Sequence, residues 1–156
     1  MKCLPRLRSA AGFTLVEIGV VVAVLGLLVA IAIPGYKKIT ERTTNTVMTN
    51  DFRAAAGALE HYVFEKGGWP PDGAGGWPAE LTGYLPPPDR WTRPTPIGGT
   101  WSWALNTDDT VAALRISNFT IPTSQLLKLD AMIDDGSIET GTCFVAGTTL
   151  VYALEK

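Results

Sequence analysis

The stretch Gly12-Phe13-Thr14-Leu15-Val16-Glu17 decides how this 156-residue chain is interpreted. It joins a short basic leader to a run from Ile18 to Tyr36 that contains no charged residue. About 20 apolar residues are enough for a helix to cross a bilayer, so the run predicts a membrane span with Glu17 at its start. A charge in that position costs about 2.5–3.5 kcal/mol on insertion scales and normally has a partner.

Cleavage of the chain between Gly12 and Phe13 would create such a partner. Phe13 would gain a free α-amino group, a cation whose usual pKa is about 7.7–8.0, and it lies close to Glu17 along the chain. In a helical assembly, Glu17 of one copy could then neutralise the amino group of a neighbouring copy.

The same stretch resembles the N-terminal signature of type IV prepilins and of the pseudopilins of type II secretion systems. The resemblance covers about residues 1–36 and rests on the residues around the cut, the glutamate, a glycine inside the span and a proline near its end: Gly12, Phe13, Glu17, Gly26 and Pro34. It implies that a membrane-embedded prepilin peptidase removes the cytoplasmic leader, residues 1–12, and methylates Phe13. The other partners it implies are copies of this chain or other pilin-like subunits, and an inner-membrane assembly platform with its ATPase.

Two other interpretations of the N-terminal segment fit less well. A secretory signal peptide has an apolar core of about 7–15 residues followed by a small-residue cleavage site, whereas this run continues to Tyr36. A simple single-pass anchor would have the right length, but it explains neither Glu17 nor the junction between Gly12 and Phe13. The prepilin interpretation accounts for all three features.

The distribution of charge predicts the orientation of the chain in the membrane. Lys2, Arg6 and Arg8 have no acidic residue to offset them in the leader, so the positive-inside tendency places the N-terminus in the cytoplasm. The C-terminal domain is then periplasmic, and the resemblance places the single span in a bacterial inner membrane. The whole sequence carries 13 basic and 15 acidic residues, a balance that does not favour binding to nucleic acid.

Cysteine usage separates this chain from many type IV pilins. Cys3 lies in the leader, so its removal would leave Cys143 as the single cysteine. No intramolecular disulfide can then form, even in an oxidising compartment. Because many type IV pilins close their C-terminal region with a disulfide loop, this difference favours a pseudopilin-like subunit.

The span is predicted to continue as an amphipathic helix, so that residues 13–36 and 37–66 form the membrane half and the periplasmic half of one spine. Apolar residues of the second half recur at helical spacing and share one stripe: Met48, Phe52, Ala55, Leu59 and Tyr62. Gly67 and Gly68, followed by prolines, predict the end of the helix. Pro34 removes a backbone donor inside the spine and predicts a kink.

The rest of the chain predicts a loop and a small sheet. Residues 67–99 are rich in proline, glycine and tryptophan and are predicted to form a long loop pinned by its aromatic side chains. Residues 100–156 are predicted to form two hairpins, which turn at 107–109 and 147–148, with one inserted helix over 122–136. The predicted fold class is therefore α+β, a long N-terminal helical spine packed against a small antiparallel sheet, as the pilin resemblance also implies.

Asp130, Asp134 and Asp135 are the candidate metal ligands in the sequence, with Ca²⁺ as the candidate ion. Carboxylates near a helix C-terminus repel one another, and a cation would relieve that repulsion. Their spacing differs from that of an EF-hand loop, and Asp-Gly is also an ordinary turn sequence, so no cofactor is predicted. No enzyme is predicted either, because the single histidine, His61, has no nucleophile motif near it.

Two functions are compatible with the sequence. The first is a structural subunit whose spine packs into a helical filament, either a type IV pilus or a type II secretion pseudopilus. The second is a membrane-anchored periplasmic binding module that does not polymerise. Glu17 separates them, because its replacement should abolish assembly in the first case and leave ligand binding unchanged in the second.

Overall fold

The computed structural model describes residues 12–73, 76–85 and 90–156. Its elements follow in the order α1 (Leu15–Lys66), a 3₁₀-helix (Ala79–Gly83), β1 (Thr100–Thr107), β2 (Thr110–Ser117), α2 (Thr123–Ile133), β3 (Cys143–Ala146) and β4 (Thr149–Glu155). The chain is therefore the α+β protein that the sequence predicts, with a long N-terminal apolar helix and a four-stranded antiparallel sheet. Contacts divide it into two units, Met1–Ile39 and Thr40–Lys156.

The described part of the first unit is the apolar beginning of α1. Every residue from Gly12 to Ile39 is exposed. By length and composition, α1 contains a segment that is apolar enough to cross a membrane. The helix is continuous through Pro34, so the predicted kink stays a prediction.

In the second unit, the predicted stripe on α1 is the side of the helix that enters the core. Met48, Ala55 and Leu59 are 0% exposed and Phe52 is 1% exposed, while Tyr62 packs partly buried against the same cluster. These residues lie on one face because the helix repeats every 3.6 residues. The helix ends where the sequence predicts, at Lys66.

The four strands form one antiparallel sheet in the order β1-β2-β4-β3. Asp108 and Asp109 join β1 to β2 with φ angles of 52° and 58°, the positive pair that a two-residue hairpin turn requires. Gly147 serves the second hairpin with a φ of 62°. Both turns fall where the sequence predicts them, which sets the register of the strands.

Aromatic side chains fix the segment between α1 and β1 to the core. The ring of Trp69 lies 5.6 Å from the ring of Trp103, and Trp91 lies 5.2 Å from Trp101, measured between centroids. The Tyr84 hydroxyl donates a hydrogen bond to Glu65 at 2.6 Å, and this bond raises the pKa of Tyr84 to about 12. The described part of residues 67–99 is therefore packed, as predicted.

Helix α2 packs against the second part of α1 through a reciprocal amide contact. The side chain of Asn45 donates to the Gln125 backbone oxygen at 3.3 Å, and the Gln125 amide donates to Asn45 at 3.1 Å. Both residues are buried, so the contact gives each side-chain amide a hydrogen-bond partner. An exposed ion pair between Lys128 and Glu41, 2.9 Å long, lies at the same contact.

An ion pair between a buried carboxylate and a half-exposed arginine joins α1 to the segment that follows the 3₁₀-helix. The Asp51 side chain is 4% exposed and pairs with the Arg90 guanidinium, which is 46% exposed. Burial raises the pKa of Asp51 above its ordinary value of 3.8, and the charge of Arg90 opposes that rise. The arginine thus compensates for a carboxylate that has lost its water.

We expect Arg90→Ala to destabilise the second unit by about 1–3 kcal/mol at pH 7, because it leaves Asp51 buried without its partner. The partial exposure of Arg90 keeps this loss below that of a fully buried pair. Without Arg90 the pKa of Asp51 rises further, so the loss should shrink as the pH falls and Asp51 becomes neutral. Thermal unfolding of both proteins between pH 4 and pH 8, with Arg90→Lys as the control, measures this, and a pH-independent loss would contradict it.

Candidate functional site

The first turn of α1 holds the carboxylate of Glu17 within its own chain. Glu17 Oε2 accepts hydrogen bonds from the Thr14 backbone N–H at 2.8 Å and from the Thr14 hydroxyl at 2.7 Å. In return, the Thr14 hydroxyl oxygen accepts the Glu17 backbone N–H at 3.2 Å. Thr14 stands just before the first helical residue, so the two side chains form a capping box.

This contact gives Glu17 a role that the sequence analysis missed. The spacing Thr-x-x-Glu before an apolar run is a signature of a capping box. Thr14 and Glu17 have this spacing. Both accepted bonds reach Oε2, and Oε1 accepts none within the described residues. The capping box therefore holds the carboxylate in place and leaves one oxygen to accept a further donor.

The peptide bond between Gly12 and Phe13 lies outside the helix. Residues 12–14 have no regular secondary structure, and Phe13 is 82% exposed. No heavy atom of the described residues would lie within 4 Å of a Cβ atom added at Gly12. The junction proposed for cleavage is accordingly exposed and lies before the helix that carries Glu17, while the leader before it falls outside the described residues.

The rest of the apolar half of α1 presents hydrophobic side chains on all sides. Among the large ones, exposure ranges from 50% at Val24 to 89% at Leu15. Along this surface, Gly19, Ala23 and Gly26 recur at helical spacing, and a Cβ atom added at either glycine would meet nothing within 4 Å. Such small side chains let membrane helices approach closely.

Asp130, the first candidate metal ligand, stabilises the loop that follows α2. Its side chain is buried, and Oδ2 accepts the Gly136 backbone N–H at 2.7 Å. Burial raises the pKa of Asp130, and the nearby Cys143 thiol opposes that rise. The same burial raises the pKa of the Cys143 thiol, with Asp130 adding to the effect. Both groups are buried.

The other two candidate ligands are engaged by the same loop. Asp134 accepts hydrogen bonds from the Thr142 backbone N–H and hydroxyl. Asp135 accepts the Ser137 N–H at 2.8 Å and the Thr140 hydroxyl at 2.9 Å, which lower its pKa. Within the described residues, no three or more His, Cys, Asp or Glu side chains are grouped so that they could hold a metal ion. The carboxylates instead order the loop through hydrogen bonds.

Several known proteins match this chain over part of its length, and all of those described below are pilins or pseudopilins. A fimbrial protein, EcpC, of Eikenella corrodens is 40% identical over 63 residues, which are 40% of this chain and 41% of that protein. The type II secretion system core protein G of Pseudomonas aeruginosa is 38% identical over 63 residues, 40% of this chain and 44% of that protein. Both matched proteins are pilin-like, a fimbrial protein and a type II secretion pseudopilin.

The major type IV pilin PilE of Neisseria gonorrhoeae extends this pilin-like similarity, with 34% identity over 61 residues, 39% of this chain and 36% of that protein. The chain thus spans about two fifths of the length of the curated relatives it matches. No family model and no solved structure matches it. The relatives are structural pilin and pseudopilin proteins rather than enzymes.

Proposed function

We propose that this chain is a structural subunit of a pilin-like filament, either a type IV pilus or a type II secretion pseudopilus, and that it assembles through α1. The observation that carries the proposal is a helix half that is apolar and exposed on every side and begins at a single capped carboxylate, Glu17. The pilin and pseudopilin relatives support the same conclusion.

Before assembly, the first unit resides in the membrane as a single span. Exposing apolar surface to water costs about 25 cal/mol of free energy for each Å². A bilayer removes this cost, because a helix of about 20 apolar residues spans its hydrocarbon core. The basic leader places the N-terminus in the cytoplasm. The second unit then lies in the periplasm, on the far side of a bacterial inner membrane.

A prepilin peptidase removes residues 1–12 and methylates Phe13. Two features support this step: the junction at Gly12 is exposed and outside the helix, and cleavage there creates a cation at Phe13, close to Glu17 along the chain. The new amino group of one copy binds Glu17 of its neighbour, most directly through the oxygen that the capping box leaves unused. This pairing neutralises both charges as the helices leave the lipid.

The apolar halves of α1 replace lipid with one another in the assembled filament. The row of small residues that contains Gly19, Ala23 and Gly26 allows close approach between copies. An inner-membrane platform and its ATPase drive extrusion, and the partners are copies of this chain or other pilin-like subunits. Cys143 would be the single cysteine of the processed chain, which favours the pseudopilus over a disulfide-closed pilin.

The processing step predicts a specific N-terminus. We expect the chain recovered from membranes to begin at methylated Phe13 when a prepilin peptidase is present, because the junction is accessible and matches the resemblance. In cells without the peptidase, it should begin at Met1. Intact mass and N-terminal sequencing of the two preparations measure this. A chain that begins at Met1 in both would instead support a membrane anchor that carries a periplasmic binding module.

A further inference from the structure

Two lysines follow the apolar run of α1 at its C-terminal end. Lys37 and Lys38 come directly after Tyr36, the last residue of the uncharged run, and both are exposed. Neither forms an ion pair with another residue in the described ranges. Glu41, the first acidic residue after them, pairs with Lys128 at 2.9 Å. Among the described residues, the two ammonium groups therefore have no carboxylate partner.

The lysines lie at the depth of the lipid headgroups when the apolar run fills a bilayer. Glu17 and Lys37 are 20 residues apart, which is about 30 Å of helical rise. The hydrocarbon core of a bilayer is also about 30 Å thick. Tyr36, which is 72% exposed, is of a residue type that is enriched at membrane–water interfaces. A span with Glu17 at one boundary of the hydrocarbon core thus places the two lysines at the other boundary.

The charges elsewhere in the chain do not favour an anionic membrane surface. The three cations of the leader would be removed with it, and no basic residue lies between the leader and Lys37. Residues 40–156 carry 8 basic and 14 acidic residues, so an anionic surface repels the second unit as a whole. In the processed chain, the attraction to such a surface therefore comes from Lys37 and Lys38.

We propose that Lys37 and Lys38 bind the phosphate groups of anionic phospholipids in the periplasmic leaflet of the membrane. Lysine is a common phosphate ligand, and its ammonium group can reach the headgroups while its methylene stem lies along the apolar helix. The proposal rests on the proposed function, which places this end of the span on the periplasmic side. The bound lipids hold the unassembled subunit in the membrane, and its entry into a filament requires their release.

The lipid preference of the unassembled chain tests this proposal. The full chain is purified in a nonionic detergent from cells that carry the peptidase, and equal amounts of dioleoylphosphatidylglycerol and dioleoylphosphatidylcholine are added. Native mass spectrometry then counts the bound lipids. The wild type should retain the anionic lipid in preference. Lys37→Gln/Lys38→Gln should reduce this preference roughly thirtyfold, which corresponds to about 1 kcal/mol for each lysine near an anionic surface.

Two matched variants separate the lysines from charge in general. Arg53→Gln/Lys66→Gln removes the same number of cations from exposed positions further along α1, and it should keep the wild-type preference. Lys37→Arg/Lys38→Arg retains both cations and should keep it as well. If the peptidase leaves the leader in place, the comparison still holds, because every variant then carries the same leader.

Inorganic phosphate separates a lipid site from a site for a free anion. Excess inorganic phosphate should not displace the phosphatidylglycerol, because the acyl chains also pack on the exposed apolar side chains before Lys37. Displacement by inorganic phosphate would overturn the lipid site in favour of one that binds a soluble anion.

The remaining outcomes distinguish this proposal from the proposed function. Equal preference in the wild type and in Lys37→Gln/Lys38→Gln would overturn the lipid site. If that variant then also formed fewer filaments, the lysines would contact another protein instead. A chain that retains phosphatidylglycerol through the lysines, but forms no filament in cells with the peptidase and the assembly platform, would overturn the proposed function and leave the lipid site intact.

Discussion

Replacement of Glu17 by glutamine is expected to abolish filament assembly and to leave the folded second unit unchanged. Glutamine keeps an oxygen that can accept the Thr14 hydrogen bonds, but it cannot neutralise the amino group of Phe13 in a neighbouring copy. Breaking a buried ion pair by removing one partner costs about 3–5 kcal/mol, which corresponds to a loss of at least about a hundredfold in assembly at each contact.

The capping box requires a separate control. Thr14→Ala removes the cap and retains the carboxylate, and loss of an N-cap costs about 0.5–2 kcal/mol of helix stability. We therefore expect Thr14→Ala to assemble less well than the wild type but far better than Glu17→Gln. Quantification of sheared filaments measures both variants, with Glu80→Gln as the matched control at an exposed carboxylate. Wild-type assembly by Glu17→Gln would contradict the charge-pair account.

The second large effect is expected on the stability of the second unit, from a substitution in its core. Trp103 is 0% exposed, its ring contacts Trp69, and its indole N–H donates to the Pro70 backbone oxygen at 3.1 Å. Trp103→Ala removes this packing and leaves the oxygen of Pro70 without its donor, so we expect a loss of about 3–5 kcal/mol.

Thermal unfolding of the full chain in detergent, followed by near-ultraviolet circular dichroism, measures this loss. Trp69→Ala is a suitable comparison, because Trp69 is only partly buried against the same cluster and should cost less. The apolar half of α1 should stay helical in both variants, since its residues are exposed and belong to the other unit. Equal stability of Trp103→Ala and the wild type would show that the indole does not anchor the core.

The sequence predicted those parts of the fold that follow from local periodicity. The stripe from Met48 to Tyr62 is buried because the 3.6-residue repeat of a helix places it on one side. The turn at Asp108 and Asp109 was predictable because short polar residues tolerate the positive φ angles of a tight hairpin. The end of α1 at Lys66 followed from the two glycines after it.

Long-range contacts could not be predicted in the same way. The 3₁₀-helix contributes Leu81, which is 0% exposed, but it is only five residues long, too short for a periodic pattern to reveal it. The sequence did not show that Ser102 and Ala104 of β1 are buried along with Trp101 and Trp103, because a strand points successive side chains to opposite faces. The pairing of Asp51 with Arg90 depends on tertiary packing between residues distant in sequence.

At the candidate site, residue identity was easier to predict than geometry. Glu17 was evident from its isolation beside an uncharged run, but its capping by Thr14 was overlooked in favour of an intermolecular partner. Charge alone makes Asp134 and Asp135 candidate metal ligands, whereas both accept hydrogen bonds from their own loop. Charge density identified these residues, and the loop conformation decides what they contact.

Helical reconstruction of filaments from cells that express this chain with a prepilin peptidase tests the central claim most directly. The account predicts a filament of parallel α1 helices, in which chains begin at Phe13 and Glu17 of one copy lies within hydrogen-bond distance of the amino group of another. Cells that make the processed chain but no filament, or a filament in which Glu17 faces no amino group, would contradict it.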